Sequence, residues 1–427
     1  MRNLLLAAAG LLVTAAGCAS AQPSPQPLTL ADCIKLAQSA PSPVSLARQE
    51  RDIAARETTR ARAGFLPQSR LVNGFTYNSP LLYDRGMFSY LPLNGIREYA
   101  FLLNVDQEFD TSGRLRADLA RARVAGDLAG TSLALTERDL KRAVTTSYYR
   151  ALLTRRIVRI VQDALTESQG FEKRTKLLLG GGEAAQADVV KASAQTAFLE
   201  QALNTAELEA TLAGQELASF WTRDVAEPLS LAEVLDGNPT PPEGPAALPA
   251  PFLKRLEFNL LDAQRRGFQA DARRARADLL PQLGAAFQYG LDSTAVRIRD
   301  RGYAAFVNLT IPIFDWNKAR AAIQQARLKA GQVETTRAIS ERAFSKEYQS
   351  ALERVKRLFE QISLTRRQAQ LVEDDLRLSR IRYEGGEGLA LDVVTSQNQL
   401  AQARTNYYTT MANYLNARAD LEVASGR

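Results

Sequence analysis

The chain contains no histidine, and only two cysteines and three methionines among its 427 residues. Without histidine there is no Ser-His or Cys-His nucleophile pair, no imidazole base and no His-ligated metal. Cys18 and Cys33 are too few for a disulfide framework or a four-cysteine zinc or iron-sulfur site. Long hydrophobic runs are also missing: after the N-terminal segment nothing approaches the roughly 18 apolar residues of a membrane helix. Any bilayer crossing must therefore use strands. An excess of one charge sign is slight, at +7, and acids are interspersed among the arginines. That pattern reads as solvated helix faces, not as the clustered basic surface of a nucleic-acid binder.

What is present begins with an export segment. Met1-Arg-Asn and the apolar run from Leu4 to Val13 have the form of a signal peptide. Two cleavage readings stay open. Ala15-Ala16-Gly17 before Cys18 gives a signal peptide of residues 1–17 and a lipidated Cys18, whereas Ala19-Ser20-Ala21 fits ordinary cleavage after residue 21. Residues 18–27, with Pro23, Pro25 and Pro27, read as an extended tether.

The remainder is one unit written twice. Arg60-Ala-Arg-Ala-Gly-Phe-Leu-Pro67-Gln68 is matched by Arg274-Ala-Arg-Ala-Asp-Leu-Leu-Pro281-Gln282. Phe109-Asp110, before an Arg-rich helix start, is matched by Phe314-Asp315. Gly181-Gly182-Glu183 with Asp188-Val189-Val190 is matched by Gly385-Gly386-Glu387 with Asp392-Val393-Val394. The repeats read as 28–237 and 252–424, joined by a Pro/Gly-rich linker at 238–251.

Each repeat opens with a helical segment, 28–64 or 252–278, stopped by Leu-Pro. Period-2 segments follow within hairpins 67–110 and 281–314. Leu283, Ala285, Phe287, Tyr289 and Leu291 alternate with small or polar residues, as do Tyr303 to Ile313 and Tyr99 to Val105. Such strands suit a water-lined membrane barrel or, on their own, a soluble half-buried hairpin. Then come 66 residues without proline, 114–179 and 318–383, each about 100 Å long if unbroken. Phe344, Tyr348, Leu352, Val355, Phe359 and Ile362 step by four and three, the spacing of a coiled coil. A glycine-rich turn returns each long helix through a shorter one, giving helical hairpins at 112–222 and 317–424. The fold class is therefore mainly α with a pair of β-hairpins. Four strands cannot close a barrel, for which about eight is the minimum. If the strands lie in a membrane the chain must assemble, and three copies supply 12 strands and 12 long helical segments.

These motifs, in this order and twice over, resemble the bacterial outer-membrane efflux proteins of TolC type, including their lipoprotein members. The resemblance rests on Leu-Pro-Gln before each first strand, on Ile311-Pro-Ile-Phe-Asp315 running into Asn317-Lys318-Ala319-Arg320, and on Tyr383-Glu-Gly-Gly-Glu-Gly-Leu-Ala-Leu-Asp392-Val393-Val394. It implies a homotrimeric channel-tunnel with a 12-strand barrel in outer-membrane lipid and an α-helical barrel crossing the periplasm. It implies no catalysis and no cofactor or metal. The hairpin tips, Gly181, Gly182, Glu183, Gly385, Gly386, Glu387 and Leu389, would meet a periplasmic adaptor (membrane fusion protein) that links the tunnel to an inner-membrane transporter. By position, Asp188 and Asp392 match the carboxylates of the periplasmic gate and Tyr383 a tyrosine of its closing network. Asp188 and Asp392 also open helices, where an acid is favoured simply as a cap. Two positions depart from the family pattern. Gly388 stands where a basic residue is usual and Thr395 where an acid is, which turns attention to Arg380 and Arg382 as closing residues.

Smaller features have two readings each. The glycine turns are not followed by Lys-Ser/Thr, so they do not read as a phosphate-binding loop. Trp316 and Tyr303 fit interfacial belt positions or simple packing against the hairpin. The alternative for the whole chain is a periplasmic coiled-coil adaptor or scaffold without a pore. The exported substrate is not written in the sequence.

Overall fold

A computed structural model describes residues 27–80, 95–241 and 250–426. The signal segment and Cys18 lie outside the described residues, as do most of the 238–251 joint and the tip of the first β-hairpin.

The elements run α1 (Leu30–Ser39), α2 (Pro43–Ala63), β1 (Gln68–Tyr77), β2 (Arg97–Phe109), α3 (Arg114–Gly180) and α4 (Gln186–Ala218). The second repeat continues with α5 (Leu256–Ala277), β3 (Gln282–Ser293), β4 (Gly302–Thr310), α6 (Lys318–Glu384) and α7 (Ala390–Ala424). The two long helices have the same length, 67 residues. One difference from the sequence reading falls at 28–64, which is two helices. Pro41 and Pro43 deny the helix its amide donors, Ala40 and Ser42 turn extended, and α2 restarts with Pro43 in its first turn.

The repeated Phe-Asp motif has a local physical cause. Asp110 accepts the Leu115 amide at 2.9 Å, and Asp315 accepts the amides of Asn317 at 3.0 Å and Ala319 at 2.9 Å. These carboxylates satisfy otherwise unpaired donors where α3 and α6 begin. In both cases the residue just before the helix is left-handed, Gly113 at φ 80° and Asn317 at φ 62°.

All four strands form one antiparallel sheet in the order β1-β2-β3-β4. Its register puts the alternating apolar positions on one face: Phe75 opposite Tyr99, Leu103 opposite Tyr289, and Phe287 opposite Ala305. Arg70, Asn104 and Gln288 fall in line on the other face. Both outer strands are almost wholly exposed and, among the described residues, have no partner on their outer edges.

Beside the sheet the helices lie in the order α2-α3-α5-α6; farther away α4 and α7 take the places of α2 and α5. Apart from Thr365, the buried positions of α6 fall in runs of sevens, Ala319, Ala326 and Val333, then Tyr348, Val355 and Ile362, then Leu376 and Tyr383. A strict seven-residue repeat keeps one seam against its neighbours and winds the helices into a left-handed supercoil.

Two apolar clusters hold the helices together. The trunk cluster centres on Tyr148, Leu152, Leu217, Val355, Met411 and Tyr414. Around it the segment before α1 meets the connection after α4: the Leu28 amide donates to the Ser230 carbonyl at 2.7 Å and the Ala232 amide to the Leu28 carbonyl at 3.0 Å. Tyr148 donates its hydroxyl to Ala232 at 3.0 Å, Tyr414 donates to the Thr240 carbonyl, and Arg155 donates to Leu229 at 2.8 Å. Arg159 and Glu233 form an ion pair at 2.5 Å. This collar uses backbone carbonyls as acceptors for buried tyrosines, which leaves few orphaned groups. Cys33 is buried in the same cluster, and burial pushes its thiol up to about 11, so it packs as a small apolar group. The tip cluster, Phe171, Ala192, Leu376, Tyr383, Ala390, Val393 and Leu400, is smaller.

Candidate functional site: the helical tips

Each helical hairpin ends in a glycine turn. Gly182 at φ 79° and Gly386 at φ 76° occupy the left-handed conformation that closes a helix C-terminus at little steric cost. Gly181, Gly182, Glu183, Gly385, Gly386, Glu387 and Leu389 are all exposed, with the Leu389 side chain at 66%. The named tip residues therefore present bare backbone, the carboxylates of Glu183 and Glu387, and the large apolar side chain of Leu389.

Asp188 and Asp392 sit at the starts of the returning helices but in different roles. Asp392 is exposed and accepts the Leu389 amide at 3.4 Å, so it caps α7. Asp188 is half-buried in the first turn of α4, and no side-chain cap bond joins it to the helix start. Tyr383 is buried against Phe171, with ring centroids 5.1 Å apart, and its hydroxyl oxygen has no hydrogen-bond partner among the described residues.

Gly388 has a steric reason to be glycine. The Glu387 and Gly388 amides both donate to the Arg382 carbonyl at 3.0 Å, folding the turn back onto α6. A Cβ at 388 would lie 2.9 Å from the Tyr383 amide nitrogen and 3.1 Å from the Arg382 carbonyl carbon. The basic residue expected at 388 has no room in this turn.

The charges sit elsewhere. Arg380 of α6 pairs with Glu167 of α3, and Arg174 of α3 pairs with Glu384 of α6 at 3.3 Å. Together with Phe171 and Tyr383 these four line a cavity of about 250 Å³ between the two long helices. A second set of bonds joins outgoing and returning helices. Glu172 accepts from Lys176 at 2.6 Å and from Ser193 at 2.7 Å, and these bonds, against a small cost of burial, hold its carboxyl down at about 2. Ser396 donates to Asp375 at 2.5 Å in the matching place on the second hairpin. Gln195 of α4 and Asn398 of α7 exchange amide bonds at 2.6 and 3.1 Å, linking one hairpin to the other. The sequence reading named Tyr383 and the two aspartates but missed Phe171, Glu167, Arg174, Glu384 and this amide pair. The available signal was opposite charge on the two long helices at helical spacing, 167 and 174 facing 380 and 384.

The protomer is thus a four-stranded open sheet continued by paired helices about 100 Å long. Residues 255–427 match the family model described as Outer membrane efflux protein. Among solved structures, the chain is similar to the Campylobacter jejuni CmeC outer membrane channel, with a TM-score of 0.83 and 15% identity over 93% of this chain and 85% of that one. The Neisseria gonorrhoeae MtrE outer membrane channel in its open state gives a TM-score of 0.82 and 18% identity over 93% and 88%. Nodulation protein T of Rhizobium leguminosarum bv. viciae is 23% identical over 323 residues, 74% of this chain and 66% of that protein, so the chain spans just under two thirds of its length. The family match covers the second repeat, and the fold over both repeats is that of these solved outer-membrane channels.

Proposed function

We propose that the protein is the passive outer-membrane conduit of a tripartite export system, built as a homotrimer and gated at its helical tips. The observation that carries this reading is that the same two sides of the protomer are unfinished in both tiers. The sheet ends on β1 of the first repeat and β4 of the second, each with an unpaired edge. The helices likewise end on α2 and α4 on one side and on α6 on the other. Large apolar side chains stand exposed on those helices: Leu46 and Ile53, Phe198, Leu208 and Leu212, and on α6 Leu364, Leu371 and Leu378 at seven-residue spacing. An unpaired strand edge in lipid leaves backbone groups unsatisfied, and a head-to-tail contact repeated around an axis satisfies both tiers at once. Three copies give the 12-strand barrel.

At the tips, Asp188 and Asp392 supply the carboxylates of a narrow constriction, and Tyr383 finds the partner for its buried hydroxyl on a neighbouring copy. Arg380 with Glu167 and Arg174 with Glu384 take over the closing role that Gly388 cannot perform. The exposed turns, Gly181 to Glu183 and Gly385 to Leu389, dock the periplasmic adaptor, which couples the conduit to an inner-membrane transporter supplying the energy. The chain needs no chemistry of its own, in keeping with its lack of histidine.

The test is conductance of the trimer in a planar bilayer. Asp392→Ala raises the conductance and weakens block by divalent cations, because a carboxylate ring concentrates cations in a constriction. Unchanged conductance and block would remove Asp392 from the gate.

A further inference from the structure

The junction between sheet and helices carries charges that helix physics does not favour. Both long helices begin with cations and no acid in the first turn: Arg114 and Arg116 on α3, Lys318 and Arg320 on α6. A helix N-terminus is the positive end of the dipole, so cations there are repelled. In the first repeat each is compensated, Arg114 by Glu108 and Arg116 by Asp110 at 2.6 Å. In the second repeat Lys318 and Arg320 are exposed and no carboxylate of the described residues pairs with either, since the Asp315 oxygens are turned to the backbone.

Beside them stands a strained tryptophan. Trp316 at φ 54° and Asn317 are the only non-glycine residues with positive φ among the described residues, and in a bulky side chain this conformation is an outlier. The first repeat makes the same connection with Thr111, Ser112 and Gly113, where glycine takes the left-handed position. Trp316 gains no cover from its own protomer. It is 85% exposed and touches Phe314 edge-on at 4.6 Å, itself largely exposed, next to Ile313. Strain kept at a side chain that packs on nothing points to a contact outside the chain.

The height of this group identifies the contact. From Gln282, paired with Thr310 where β4 ends, to Asp292, β3 advances ten residues, about 33 Å along an extended strand. At a strand tilt of about 40° that spans about 25 Å, the height of a barrel's apolar band. Trp316, Lys318 and Arg320 then stand at the periplasmic boundary of the bilayer. An indole has an apolar body and one N–H donor, and cations beside it meet lipid phosphates. We propose that the start of α6 is a binding site for anionic phospholipid, one per protomer, with Trp316 seated among the glycerol groups and Lys318 and Arg320 on the headgroup. This rests on the reading of the sheet as a barrel wall.

The chain has two tryptophans, so Trp221→Phe leaves Trp316 as sole reporter. The full-length variant is reconstituted in mixed phosphatidylcholine and phosphatidylglycerol vesicles, with one lipid or the other brominated. Brominated phosphatidylglycerol is expected to quench Trp316 about twofold more strongly than brominated phosphatidylcholine, and Lys318→Gln with Arg320→Gln to bring the ratio to about one. Equal quenching by the two lipids in the parent protein overturns the proposal. So does quenching by aqueous iodide alone, which puts the indole in water, or by neither agent, which puts it against the next protomer. Protein that fails to float with the vesicles contradicts the barrel reading itself and is distinguishable from all of these.

Discussion

The trunk and the tip of the helical tier are built from the same two hairpins but finished differently. In the trunk, buried tyrosines donate to backbone carbonyls of a wrapped collar, and the cluster draws on α1, both long helices, both returning helices and the connection after α4. At the tip the cluster is small, its tyrosine hydroxyl is unpartnered within the chain, and the helices are joined by surface ion pairs and glycine turns. A core whose buried tyrosines all find carbonyl acceptors favours one arrangement; one held by exposed pairs worth at most about 1 kcal/mol each can exchange partners. The difference places rigidity in the trunk and freedom of movement at the tips, as the proposed gate requires.

The largest contrast is expected from cavity-making substitutions. Leu152→Ala in the trunk is expected to cost about 4–5 kcal/mol and Leu376→Ala at the tip about 2–3, since the smaller cluster collapses more readily. Chemical denaturation followed by circular dichroism measures both, and equal losses would break the distinction. A finer probe removes one hydroxyl from each region. Tyr148→Phe removes the donor to the Ala232 carbonyl and is expected to cost about 1–2 kcal/mol. Tyr383→Phe removes a hydroxyl without an intrachain partner and is expected to change unfolding by less than about 0.5 kcal/mol while raising channel conductance.

Much of this contrast was legible before any coordinates. Proline marked the ends of the short helices, and the seven-residue spacing in α6 marked its buried seam. Period-2 alternation assigned the strand faces that the register then aligned. Reading the repeat gave both tips, because Gly182 and Gly386 recur in the conformation that only a turn requires. What stayed hidden depends on pairing between helices distant in sequence. Nothing in 167 or 380 alone says that these residues meet, because rotation of one long helix against the other is set by packing along its whole length. The sterics at Gly388 were hidden for the same reason, since the obstacle is backbone folding back over Tyr383. Pro41 and Pro43 carry the break between α1 and α2 in the sequence itself; two prolines within three residues interrupt a helix whatever its composition.

The smallest expected effect is on pH dependence, and it treats trunk and tip alike. Burial alone would raise the Glu257 carboxyl, but hydrogen bonds from Arg255 and Arg138 outweigh it and bring it to about 2. Glu172 at the tip is held equally low by Lys176 and Ser193. Both folded values lie below the ordinary 4.5, so the stability they contribute is fully present above about pH 4.5 and is lost as pH falls toward 2. Glu172→Gln is expected to flatten the tip's share of that loss, read as protease sensitivity of the hairpin ends between pH 5 and 2; an unaltered acid profile would mean that the Lys176 and Ser193 bonds do not form in solution.

The measurement that bears most directly on the account is the number of chains in the detergent-extracted particle, counted by native mass spectrometry together with its rotational symmetry in electron-microscope images. Three chains around a threefold axis, with β1 of one paired to β4 of the next, is the predicted result. A monomer, or a particle whose sheet edges remain open, would contradict it.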